Sequence, residues 1–198
     1  DFNLNVGSGS HAVQTAECMR RFEEVCSSMK PDLVIVAGDV NSTLACSLTA
    51  AKLKIPVAHI EAGLRSFDRA MPEEINRVLT DQIASLLYTT ERGAHANLAR
   101  EGIDDGRVHF VGNRMIDSLL SALPKAVSAI DLLGREGLNV EWASKKPGYA
   151  AITLHRPSNV DDAETLSSVV AILGEVAARM PVIWPIHPRT RANIEKFG

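Results

Sequence analysis

Aromatic residues are scarce in this 198-residue chain: two Trp, two Tyr and five Phe, 5% in all. That argues against a stacking platform for single-stranded nucleic acid. Basic charge is not in excess either. Lys and Arg number 21 against 24 Asp and Glu, a formal net charge of −3. A broad basic surface for nucleic acid is excluded, although a local basic pocket is not. No apolar run approaches the roughly 20 residues of a membrane-spanning helix, so no membrane partner is expected. No basic-plus-apolar leader opens the chain. The three cysteines, Cys18, Cys26 and Cys46, form no CxxC and sit beside no His. Neither a disulfide framework nor a structural zinc site is expected, and the reducing cytoplasm is the expected location. A Walker loop, a GxGxxG following a strand and an HExxH are also missing. No metal and no cofactor is expected.

What is present is a core-forming chain, 45% hydrophobic and 23% charged, long enough for one domain or a little more. Short apolar runs alternate with helical patterns. The run Pro31 to Ala37 predicts a strand buried on both faces. Further strands are predicted at Pro56 to Ile60, Leu86 to Tyr88, Val108 to Val111, Tyr149 to Leu154 and Val182 to Ile186, with an extended piece at Asp1 to Gly7. Helices are predicted from about Ala12 to Met29, from a cap at Ser42 or Thr43 to about Lys52, and from Pro72 with Glu73 and Glu74 in its first turn. This spacing reads as βαβ units and a doubly wound parallel sheet. The rhythm breaks between about Pro124 and Pro147, with a turn at Lys145-Lys146-Pro147-Gly148, and a domain change belongs in this neighbourhood.

Ligands of open α/β sheets bind at the carboxyl ends of the strands. Here those ends carry Gly38-Asp39, His59-Ile60-Glu61, Thr89-Thr90-Glu91, Gly112-Asn113, His155-Arg156 and His187-Pro188-Arg189. Each has an ordinary explanation, because loops are polar by default. Asp39 serves an acid-base role or caps a turn before Asn41. Glu61, where no helix needs a cap, suits proton transfer or pairs with Arg65 or Arg77. Glu73 and Glu74 suit the positive end of a helix dipole, and at most one of them can face a given cleft. His155 and Arg156 suit a phosphate, or Arg156 pairs with Asp161 or Asp162. His187 and Arg189 repeat the theme. His11, His95 and His109 read as surface or packing residues, and the cysteines as small core residues.

At these motifs the sequence resembles the UDP-N-acetylglucosamine 2-epimerase family, particularly its bacterial non-hydrolysing type. The strings are PDLVIVAGDVNST from Pro31, IPVAHIEAGLRSFDR from Ile55, MPEEINRVLTD from Met71, VGNRMID from Val111, ITLHRPSNVD from Ile152 and PIHPRT from Pro185. The resemblance implies two Rossmann-like domains in the glycosyltransferase-B arrangement, with the active site in the cleft between them. On that basis residues 1–113 belong to the first domain. Residues 114–198 are linker helices and the start of the second, nucleotide-binding domain. The family's first strand and its Gly-Thr-Arg-Pro loop, and most of the second domain, are expected to be missing, so the chain is expected to be a fragment.

The implied reaction is reversible inversion at carbon 2 of UDP-N-acetylglucosamine, giving UDP-N-acetylmannosamine. UDP is eliminated to leave 2-acetamidoglucal and is then added back. Carried over by position, Asp39, Glu61, Glu73 and His155 match catalytic residues. Arg156 and His187 match contacts to the nucleotide sugar, in some members a second, activating UDP-N-acetylglucosamine, and Asn113 is placed with these substrate-binding residues. Arg77 is expected to support Glu61 or Glu73. A homodimer and a role in cell-surface polysaccharide synthesis are implied too. Two alternatives stand beside this: a hydrolysing relative releasing N-acetylmannosamine and UDP, and a nucleotide-sugar-binding fragment without turnover.

Overall fold

The computed structural model describes residues 2–138, 140, 142 and 148–198. Asp1 and the Lys145–Pro147 part of the expected turn lie outside the described residues. The chain divides into two compact units, Asp1–Pro124 and Lys125–Gly198. The helix that follows Asn113 therefore counts with the first unit.

The first unit runs α1 (His11–Met29), β1 (Val34–Ala37), α2 (Asn41–Lys52), β2 (Val57–Ala62), α3 (Pro72–Ile83), β3 (Leu86–Thr89), α4 (Arg92–Arg100), β4 (Val108–Phe110) and α5 (Arg114–Ala122). The four strands form one parallel sheet in the order β1-β2-β3-β4. Val34 pairs with Val57, Ala58 with Leu86, and Leu87 with Val108. Val34, Val36, Val57, Leu87 and Val108 pack with Ala50 of α2 and Leu98 of α4. Burying such side chains supplies roughly 1.5–3 kcal/mol each.

Four expectations for this unit need correction. First, β1 is not buried on both faces, since Ile35 is 62% exposed; among the described residues β1 is an edge strand. Second, Phe2 to Ser10 forms no strand. Arg21 Nη1 takes the Leu4 and Asn5 carbonyls at 2.7 and 2.9 Å, the acceptors a neighbouring strand would need. Third, neither Ser42 nor Thr43 caps α2. The cap is Val40, without a side-chain bond, and Thr43 Oγ1 instead donates to the Ala37 carbonyl at 2.9 Å. Fourth, β2 runs past Ile60 to Ala62 and carries a register shift there.

The cysteines lie on α1 and α2, as expected of small core residues. Burial, helped by neighbouring Cys18 and Cys26, pushes the Cys46 thiol up to about 11, so it stays protonated and unreactive at neutral pH.

The second unit holds α6 (Ala129–Arg135), β5 (Ala150–Ala151), α7 (Pro157–Val160), α8 (Ala163–Ala177), β6 (Val182–Ile183) and α9 (Pro188–Phe197). Strands β5 and β6 pair in parallel, Ala150 with Val182 and Ala151 with Ile183. Both are shorter than the apolar runs containing them, because among the described residues each has a single strand neighbour. Both units are parallel α/β structures, the predicted class.

Candidate active site

The C-terminal ends of β1 and β2 and the N-terminal turn of α3 meet in the first unit. Gly38, at φ +70°, turns the chain out of β1 into Asp39. Arg77 reaches from the next turn of α3 to pair with the Asp39 carboxylate and, at 3.2 Å, with Glu74. The expected pairing of Arg77 with Glu61 or Glu73 is therefore not found. The guanidinium is one helical turn from Glu74 and directly opposite the β1 loop, so these two carboxylates take it. Asn76 Nδ2 donates to the Asp39 carbonyl at 2.8 Å and holds the loop from the same helix.

The adjacent glutamates separate as their helical geometry requires. Glu74 turns inward, accepting the Ser66 and Phe67 N–H groups and the Ser66 hydroxyl, each at 3.0 Å. Burial raises its pKa, but these donors together with Arg77 outweigh burial and leave the carboxyl below its ordinary value. Glu73 is half-buried and faces a cleft of about 460 Å³ shared with Asp39, Asn41, His11, Gln14 and the Asn3–Gly7 segment.

Glu61 has neither of the partners proposed for it. Arg65 is committed elsewhere, bidentate to Glu101 at 2.7 and 2.6 Å and to Asp81 at 2.7 Å. Among the described residues the Glu61 carboxylate has no hydrogen-bonding or ionic partner. It sits at φ +71°, a left-handed conformation costly for a non-glycine residue, at the register shift of β2. A Cβ on Gly38 would lie 3.8 Å from Glu61 Oε2. The strained backbone thus turns the carboxylate toward the end of β1, where Asp39 begins. Asp39 and Glu73 line one cleft, and Glu61 lies beside the Gly38 turn that leads into Asp39; Glu61 and Glu73 have no counter-charge among the described residues.

Asn113 caps α5, its Oδ1 accepting from Met115 N at 2.8 Å. Sequence reasoning missed His11, Gln14 and Asn41. His11 and Gln14 both bond to the Asn41 side chain beside Asp39. The only available signal was their spacing by one helical turn at the start of α1. It also missed the wholly buried His59–Asp81 pair, 2.6 Å apart, since a histidine inside an apolar strand reads as part of a strand-end cluster.

In the second unit, His155, Arg156 and His187 are all exposed. The two histidine rings lie 5.7 Å apart between centroids, tilted by 33°. Thr190 Oγ1 donates to the Leu154 carbonyl at 2.7 Å, tying the start of α9 to the segment that carries His155. Asp161 does not pair with Arg156. Arg189 holds it through both carboxylate oxygens and lowers its pKa, and Asp162 caps α8 through Thr165 N. Among the described residues the Arg156 guanidinium has no hydrogen-bonding or ionic partner. His187 Nδ1 accepts from Arg189 N at 3.2 Å, which puts the ring proton on Nε2 as an outward donor.

The whole chain, residues 1–198, matches the family described as UDP-N-acetylglucosamine 2-epimerase. It is 47% identical over 197 residues to the UDP-N-acetylglucosamine 2-epimerase homolog of Methanococcus maripaludis, covering 100% of this chain and 53% of that protein. It is 42% identical over 201 residues to the UDP-2,3-diacetamido-2,3-dideoxy-D-glucuronate 2-epimerase of Pseudomonas aeruginosa, covering 100% and 54%. The crystal structure of Methanocaldococcus jannaschii UDP-GlcNAc 2-epimerase in complex with UDP-GlcNAc and UDP aligns with a TM-score of 0.86 at 42% identity, covering 100% of this chain and 53% of that one. The chain spans about half the length of the relatives it matches.

Proposed function

Because the chain belongs to the UDP-N-acetylglucosamine 2-epimerase family, we propose that the protein carrying it inverts carbon 2 of UDP-N-acetylglucosamine to give UDP-N-acetylmannosamine. The carbon 2 proton is too weakly acidic to be removed directly. Loss of UDP from carbon 1 accompanies loss of that proton, leaving 2-acetamidoglucal. UDP then returns to carbon 1 as a proton is delivered to the opposite face of carbon 2. Atoms and charge balance without a metal or a redox cofactor.

In this reading the carboxylates of the first unit move the protons. Glu61 and Glu73, which have no counter-charge among the described residues, are placed to accept and donate, and Asp39 is paired with Arg77. The second unit supplies cations and donors to the diphosphate: Arg156 as a bidentate partner and the histidines through N–H groups. His155 assists departure of UDP. Asn113 and His187 contact the nucleotide sugar. The two units belong to two Rossmann-like domains, and the enzyme works in the cytoplasm as a homodimer supplying surface polysaccharide synthesis. The observation that supports the reading most directly is Glu61, held in a strained conformation beside the Gly38 turn that leads into Asp39 and without a counter-charge among the described residues.

A second substrate is raised by one observation. The Pseudomonas relative, named for a UDP-diacetamido-glucuronate, is 42% identical, as is a Methanococcus maripaludis protein named for UDP-N-acetylglucosamine. Both substrates undergo inversion at carbon 2, so the same carboxylates serve either one.

The test is proton NMR of the full-length protein with each nucleotide sugar in heavy water. Epimer appearing with deuterium at carbon 2 is expected, and Glu61→Gln is expected to slow it about 100-fold or more. Free N-acetylmannosamine would instead identify the hydrolysing reaction. Failure of both substrates to exchange would overturn the proposal.

A further inference from the structure

His59 lies wholly buried in β2, two residues before Glu61, and no role proposed above uses it. Its Nε2 is 2.8 Å from the Gly38 carbonyl and its Nδ1 is 2.6 Å from Asp81 Oδ1. A carbonyl oxygen only accepts, so Nε2 carries a proton. Nδ1 and a carboxylate oxygen at 2.6 Å cannot face each other lone pair to lone pair, so a second proton lies between them. The pair therefore holds two protons where a neutral imidazole beside a carboxylate holds one.

The surrounding charges accommodate this. Arg65, with 1% of its side chain exposed, bonds to Asp81 Oδ2 and to Glu101. Two cations, His59 and Arg65, then face two anions, Asp81 and Glu101, and the buried group is neutral overall. Arg107 touches only backbone carbonyls here, those of Asp81, Gln82 and Ala84. Among the described residues the hydrogen-bond partners of the ring are Asp81 and the Gly38 carbonyl.

The network joins all three carboxylate-bearing segments. Gly38 immediately precedes Asp39. Asp81 lies on α3, whose first turn bears Glu73. Asp81 Oδ2 also accepts Gly63 N at 3.0 Å, just beyond Glu61. We propose that His59, doubly protonated and bonded to both Gly38 and Asp81, is a positioning residue that sets the spacing of Asp39, Glu61 and Glu73. Its effect on turnover rests on the epimerase reading; its protonation does not.

The direct test is nitrogen NMR of the full-length protein labelled with 15N-histidine, with the His59 signals assigned as those absent from His59→Gln. Both ring nitrogens are expected to carry protons. A bare ring nitrogen on His59 would overturn the proposal. The kinetic test uses two amides. His59→Gln can still donate toward Gly38 but loses Asp81, and His59→Asn does the reverse. Each is expected to lower kcat about 10- to 100-fold while KM moves less than about threefold, because the carboxylates are displaced and the nucleotide contacts are not. Folded variants with unchanged kcat would refute the positioning role. If a variant does not fold, the wild-type nitrogen spectrum decides. If the wild-type protein shows no epimerisation, the functional reading fails and the same spectrum still decides the proton count.

Discussion

Gly63 illustrates how much one residue of this site carries. Its φ is +78°, and a Cβ there would stand 2.9 Å from both the Ala94 Cβ and its carbonyl oxygen and 3.0 Å from Leu98 Cδ1. Its N–H is held by Asp81 and its carbonyl by Asn97. Gly63→Ala is therefore expected to cost about 3 kcal/mol, combining a left-handed backbone with a backbone clash that no side-chain rotation relieves. Urea denaturation would show it as a lower midpoint at an unchanged slope. The identity of the important residues was largely legible at this scale, because Gly38, Glu61 and Gly63 stand at the ends of apolar runs. Their partners were not. Arg65 and Arg77 are equivalent candidates in the sequence, and only the fold sends one to Asp81 and Glu101 and the other to Asp39.

Among the elements, α3 does the most to organise the site. Its first turn binds the Ser66–Phe67 loop through Glu74, its middle holds Asp39 through Asn76 and Arg77, and its last turn holds His59 and Gly63 through Asp81. Because the Glu74 carboxyl titrates lower in the folded protein than its ordinary value, it stabilises the fold fully above about pH 4.3. That contribution is lost as pH falls through the lower folded value. Glu74→Gln is expected to flatten the acid limb of a plot of stability against pH and to lower stability at pH 7 by about 1–3 kcal/mol. A variant whose acid limb parallels the wild type would contradict this account. The start of α3 was legible from Pro72 and its acids. The start of α2 was not, because a serine and a threonine that resemble caps lie one and two residues inside the helix. The extended piece at the start of the sequence forms no strand, and a side chain on α1 claims the carbonyls of Leu4 and Asn5.

For the molecule as a whole, the notable quantity is uncovered apolar surface. Ile35 and Phe110 on the sheet, and Met115, Ile116, Leu119, Leu120 and Leu123 on and beside α5, are all well exposed. Exposed apolar side chains in this number promote association. The purified 198-residue chain is expected to bind a hydrophobic dye strongly and to form larger species in light scattering as its concentration rises. A monomeric, dye-negative chain would show that these faces are covered some other way. The parallel α/β class was legible from the alternation of apolar runs and helices. The exposure of Ile35 was not, because a strand that is continuously apolar does not reveal which of its sides has a partner.

The sheet order β1-β2-β3-β4 follows the order of synthesis. Among the described residues each strand pairs with the one made just before it. These four strands can therefore join one after another during synthesis, with α1 and α2 packed against each other. The carboxylate cluster would be set by the time β3 pairs with β2, before any part of the second unit has been made.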